Sequence, residues 1–208
     1  MSAGPYEPTG EHRPDKGVES NARLTAMTAA LLFVLLALEG VTVLSVRSLL
    51  SLHVLIGTAL VPPVLLKLGS TGYRFVRYYL GSPAYRRKGP PPPLLRLLGP
   101  LVVVTTLVLL GSGIALMLVG PGLRPQMLTL HKASFVIWFL AMAMHVLGHL
   151  VDTARLAPRD LMERTRADVA GARARQWAVA ASLACGVPLG VLLMGKAGPW
   201  LTQSLHLH

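Results

Sequence analysis

Residues 97–119 read LLGPLVVVTTLVLLGSGIALMLV, twenty-three positions without one ionisable side chain. As a helix rising 1.5 Å per residue, such a stretch covers roughly 35 Å, enough to cross a hydrocarbon core of about 30 Å. It is too long and too continuously apolar for a membrane strand, which alternates its faces. Four more stretches share the pattern, at 24–46, 48–66, 133–151 and 177–195, and among them the only acid is Glu39. A soluble fold would have to wrap five all-round apolar helices with very little polar chain, leaving large apolar surfaces in water. The sequence therefore predicts an all-α, polytopic membrane helical bundle embedded in a lipid bilayer. A composition of 52% apolar and 14% charged residues, with mean hydropathy +0.54, agrees.

Twenty Lys and Arg against nine Asp and Glu give a net charge of +11, which by itself would suit a nucleic-acid ligand. Laid over five spans, the charges sort by side. With the N-terminus inside, fifteen cations collect at 13–23, 74–96 and 155–175, against four outside, Arg47, Arg124, Lys132 and Lys196. The positive-inside rule selects this orientation over its inverse. The expectation is a multi-pass protein of the cytoplasmic (inner) membrane, N-terminus inside and C-terminus outside. Its basic residues meet anionic headgroups, and no nucleic acid is called for.

Along the chain, residues 1–23 are rich in Pro, Gly and charge and read as a disordered cytoplasmic tail. Residues 24–151 hold four spans. The first of these reads as a retained anchor, because it carries Glu39 and lacks a small-residue cleavage site. Pro62 and Pro63 should kink the second span, and Tyr73, Arg74, Phe75, Arg77, Tyr78 and Tyr79 form an aromatic and basic collar beyond it. The four prolines at 90–93 read as a stiff extended linker, and the short loop at 120–127 makes the third and fourth spans antiparallel neighbours. Residues 152–176 read as an amphipathic cytoplasmic linker with Leu161, Met162, Thr165 and Val169 on one side, lying on the membrane or solvated. Residues 177–208 supply the fifth span and an outer tail. The single cysteine, Cys185, excludes an internal disulfide and a Cys-x-x-Cys-His haem attachment.

Seven histidines occur, and four lie in or beside spans: His53, His131, His145 and His149. Ionisable side chains are costly in hydrocarbon and face the interior of a bundle or a functional group. His131 and His145 stand fourteen residues apart on the fourth span, which leaves about 40° of rotation and roughly 21 Å of rise, so both project from one face. The second and fourth spans run in the same direction, with His53 and His131 near their outer ends. Those two rings can therefore oppose each other at one depth. Opposed imidazoles in an apolar bundle are what a low-spin b-type haem requires, with Arg47, Arg124 and Lys132 on the outer rim as partners for its propionates. Gly57, one turn after His53, would let a ring approach the backbone.

On these residues the chain resembles the transmembrane b-type cytochromes of the bacterial formate dehydrogenase and hydrogenase membrane-subunit type. In those proteins four helices hold two haems, and one helix supplies two histidines fourteen positions apart. The resemblance covers about residues 24–151 and is a match of spacing. It implies a four-helix haem core plus a fifth span, haem b as cofactor, His53 and His131 on the outer iron, and His145 at an inner site. It also implies electron transfer between a quinone and a redox partner subunit. The chain departs from the family near the start of the first span, where residues 21–25 read NARLT with no histidine. Lys67, fourteen residues after His53, lies at the depth of His145, either as a substitute ligand or as a cation reaching the inner interface. One haem at the outer site is the expectation, with a second on His145 as the alternative.

Other features admit plainer accounts. His145 and His149 have the i, i+4 spacing of a metal pair, but no Glu follows His145, so the zinc-protease motif is missing. Glu39 can pair with Arg47, hydrogen-bond an axial imidazole or give a proton at a quinone pocket. Gly111, Gly113 and Ala115 fit close helix packing. With no nucleotide, flavin or iron–sulfur motif, the chain reads as an electron-transfer component and not as a stand-alone enzyme. The rival reading is a haem-free transporter or accessory subunit whose histidines form interhelical hydrogen bonds or a proton path.

Overall fold

A computed structural model describes residues 15–89, 93–198 and 200, and every regular element among them is helical. The first helix, α1 (Lys16–Leu44), starts where the Asp15 carboxylate caps it, accepting from the N–H groups of Gly17 at 2.9 Å and Val18 at 3.2 Å. This cap, and not the apolar run, sets the helix start. The tail expected to lack structure through residue 23 is therefore helical from Lys16, while residues 1–14, with His12, lie outside the described residues.

The second span is two helices, α2 (Leu50–Ala59) and α3 (Val61–Tyr79), parted at Leu60. Pro62 and Pro63 bring no N–H to the carbonyls of Thr58 and Ala59, so the ladder breaks where the prolines predict. Beyond the apolar run α3 continues to Tyr79, and its Tyr73, Phe75 and Tyr79 rings are exposed. A short helix α4 (Pro83–Lys88) follows; of the proline run, 90–92 lie outside the described residues and Pro93 opens α5 (Pro93–Leu118). A 3-10 turn at Pro121–Leu123 leads into α6 (Arg124–Leu156), which at 33 residues is about 50 Å long. The one-turn α7 (Glu163–Arg166) and the last span, α8 (Ala172–Met194), complete the chain.

Four spans close a ring: α5 lies along α6, α6 touches α1, α1 packs on α3, and α2 touches α5. From outside this ring α8 docks on α2 and α3. Five helical segments are long and apolar enough to cross a membrane, and apolar side chains such as Phe33, Val104, Ile137, Leu140 and Leu192 point outward from them. A surface of this kind belongs in lipid. The protein is an all-α, multi-pass membrane protein.

Small residues explain how α8 docks. Ser182, Gly186 and Gly190 recur at every fourth position and are buried. A Cβ on Gly186 would stand 2.3 Å from the Ala59 carbonyl oxygen, and one on Gly190 would stand 2.5 Å from that of Leu55. Only glycine permits backbones to approach so closely. The Ala59 carbonyl, which Pro63 cannot serve, is the one that Gly186 covers.

The segment 152–176 departs from expectation. Instead of one amphipathic surface helix, α6 runs on to Leu156, a 3-10 turn spans Ala157–Asp160, and α8 already begins at Ala172. Leu161 and Met162 are exposed while Val169 is buried, so the expected apolar face is divided. An ionic knot reorganises it. Asp160, with no exposed surface, accepts from Arg23 Nη1 at 3.1 Å and Arg175 Nη2 at 2.8 Å, and also contacts Arg175 Nε. Glu19 bridges Arg23 at 3.1 Å and Arg159 at 3.2 Å, and Gln176 Nε2 donates to the Asp160 carbonyl at 2.7 Å. Arg23 and Arg175, expected to meet headgroups, are instead buried and bonded within the protein.

A histidine pair as candidate functional site

The turn 45–49 returns the chain from α1 into α2, which sets Glu39 and Thr42 of α1 beside His53. His53 Nδ1 stands 2.8 Å from Glu39 Oε1, and Thr42 Oγ1 is hydrogen-bonded to the same nitrogen at 3.2 Å. Thr42 is 1% exposed, and its hydroxyl lies 3.0 Å from Glu39 Oε2. Both carboxylate oxygens are thus engaged. Of the two partners open to Glu39, it takes the histidine and not Arg47.

Across the bundle, His131 sits two turns into α6 and reaches α5. Its Nδ1 is 3.1 Å from the Leu109 carbonyl oxygen, which can only accept, and 3.2 Å from Ser112 Oγ. The ring lies over Gly113, where a Cβ would come within 3.1 Å of His131 Cε1. Gly113 therefore serves the histidine, while Gly111 faces open space. Gly57 departs from its expected role: its vacancy is filled by the Glu39 carboxylate, 3.0 Å from an added Cβ, and not held open for a flat cofactor.

The two rings meet, with centres 6.3 Å apart and planes crossing at 78°. A proton held on Nδ1 by an acceptor leaves the lone pair on Nε2, and neither Nε2 has a hydrogen-bond partner among the described residues. With metal–nitrogen distances of about 2 Å on both sides, two imidazoles gripping one ion have centres about 6 Å apart. The 6.3 Å between the two ring centres is of that size. Among the described residues no group of three or more His, Cys, Asp or Glu side chains is placed to hold a metal ion, so a multi-ligand protein metal centre has no candidate there.

The rim cations are less organised. Arg47 is exposed in the α1–α2 turn, Lys132 is exposed about 100° around α6 from His131, and neither makes a hydrogen bond or ion pair among the described residues. Arg124 instead lies over the Trp200 ring, 5.2 Å from its centre.

Toward the other end of the bundle His145 stacks edge-on against His149 at 4.8 Å, and its buried Nδ1 has no partner. Lys67, on α3, has its Nζ donating to the Thr25 carbonyl of α1 at 2.9 Å. Asn21 Nδ2 donates to the Ser70 carbonyl and Thr25 Oγ1 to Ser70 Oγ, each at 3.0 Å. The place where the resemblance would put a fourth histidine is thus taken by a polar ladder tying α1 to α3. Between the two histidine levels, Trp138 is buried with Nε1 on Thr106 Oγ1 at 2.9 Å. His206 and His208 lie outside the described residues.

Sequence spacing singled out His53 and His131 but not Thr42, Ser112 or Leu109, which hold them. Hydroxyls and carbonyls inside apolar runs leave no periodic trace. Compared with known protein families, curated proteins and solved structures, the chain matches none.

Proposed function

We propose that this chain is a b-type cytochrome-like membrane electron carrier in which His53 and His131 are the two axial ligands of one haem b. The observation that carries the reading is the pair of unpartnered Nε2 atoms on rings whose centres are 6.3 Å apart. Bound there, haem would supply one-electron chemistry between a quinone and a redox partner subunit. The chain's own residues fix the ligands. Glu39 and the Leu109 carbonyl hold the Nδ1 protons, Gly113 admits the His131 ring, and the apolar spans keep water from the pair. Arg47 and Lys132, free of ion pairs among the described residues, are cations available to propionates.

The bias of cations toward 13–23, 74–96 and 155–175 supports an N-terminus in the cytoplasm and a histidine pair near the outer face of the cytoplasmic membrane. The ladder of Asn21, Thr25, Ser70 and Lys67 supports one haem over two, because it fills the α1 position an inner ligand would need.

Absorption of the purified protein tests the reading. We expect a Soret band with sharp reduced α and β bands, lost in His53→Ala and in His131→Ala and kept in His206→Ala. If both single variants retain the wild-type spectrum, the axial assignment is wrong. A colourless preparation from haem-supplemented cells supports instead a haem-free membrane component with structural histidines.

A further inference from the structure

We propose that Glu39 is a positioning residue that makes His53 the stronger electron donor of the two imidazoles and so lowers the reduction potential of the bound group, with Gly57 as the residue that admits it. The proposal rests on reading His53 and His131 as the axial pair.

A carboxylate within a membrane span is costly unless something specific holds it. Among the described residues Glu39 has no Lys or Arg partner; its Oε1 stands 2.8 Å from His53 Nδ1, and its Oε2 accepts from the Thr42 hydroxyl at 3.0 Å. His131 is held differently, by a neutral carbonyl at 3.1 Å and a hydroxyl at 3.2 Å. The two rings therefore differ in the charge beside them, although their centres are only 6.3 Å apart. An anion set against Nδ1 pushes electron density onto the ring and makes Nε2 a more basic ligand, which favours the oxidised metal.

Gly57 gives an independent handle. It lies one turn after His53 on the same face of α2, and a Cβ there would approach Glu39 Oε1 to 3.0 Å. The glycine thus leaves room for the carboxylate beside the imidazole, and any side chain would press the carboxylate away without altering its charge.

The closing experiment is a redox titration of the haem-loaded protein. Glu39→Gln keeps the shape and an acceptor oxygen but removes the charge. It should shift the balance toward the reduced form at least tenfold, which for one electron is about 59 mV, with the low-spin bands kept. Gly57→Ala should move the potential the same way by less, and Gly111→Ala, where nothing lies within 4 Å, should leave it nearly unmoved. A second readout uses haem-free protein with nitrogen-15-labelled histidine, in which His53 should carry its proton on Nδ1 in the wild type and lose that preference in Glu39→Leu. Haem bound with an unmoved potential in both Glu39→Gln and Gly57→Ala overturns the role of Glu39 and leaves the axial reading standing. A wild-type His53 protonated on Nε2 also overturns it, and a protein that takes up no haem sinks both.

Discussion

At the end of the bundle where α1 begins, Asp160 has no exposed surface and binds both Arg23 and Arg175, themselves 1% and 5% exposed. At the opposite end His53 and His131 each have Nδ1 in polar contact with the protein, and among the described residues neither Nε2 has a hydrogen-bond partner. Both regions put costly polar groups among apolar helices, but only the first closes on itself. A closed network serves the fold, since its buried carboxylate and guanidiniums pair with one another within the chain. The histidine pair is the open counterpart, and it is the place where the proposed haem would bind.

That contrast can be broken from either side. Removing the shared acid of the closed network weakens both its arginines, so Asp160→Ala should cost about 3–5 kcal/mol, because it leaves Arg175 without its carboxylate and Arg23 without one of its carboxylates. Unfolding in detergent, followed by circular dichroism, measures it. Arg23→Ala should cost less, since Arg175 remains on Asp160. Equal losses for the two variants would mean that the knot is not centred on Asp160.

The next effect tests how α8 joins the ring. Gly186→Val has to move the Ala59 carbonyl, which a side chain cannot share at 2.3 Å, and should destabilise by about 1–3 kcal/mol. Gly111→Val, where nothing lies within 4 Å, serves as the control and should change stability little. Asp15→Ala should cost about 1 kcal/mol by uncapping α1. An unaltered melting curve there would place the effective start of the helix after Lys16.

The smallest expected effect is the sharpest for the histidines. His145 shares a face with His131, but its buried Nδ1 is unpartnered and its ring rests on His149. His145→Leu should leave the haem spectrum intact and stability unchanged or raised by up to about 1 kcal/mol, as an unsatisfied buried group is removed. Loss of half the haem would instead reveal a second site.

The five spans and the meeting of His53 with His131 were legible because both depend on counting along helices. Continuous apolar runs set the spans, and one shared direction with matched depth sets the pair. What the count could not reach were partners chosen by three-dimensional packing. Glu39 had two candidate partners in the sequence, and only the return of α2 alongside α1 decides for His53. Asp160 is one acid among several in a basic stretch, and nothing local marks it as the one buried between arginines from α1 and α8. Gly57 was expected to leave room for a flat ring, and the room is taken by a carboxylate from another helix. The start of α1 lay hidden for a different reason: a polar cap at Asp15 lengthens the helix beyond its apolar part, so hydropathy places the start too late.

Haem content per chain, measured on protein purified from haem-supplied cells beside His53→Ala and His131→Ala, bears most directly on the histidine pair. The account predicts one low-spin haem per chain in the wild type and none of that form in either variant. A wild-type protein without haem, or variants that keep it, would contradict the account.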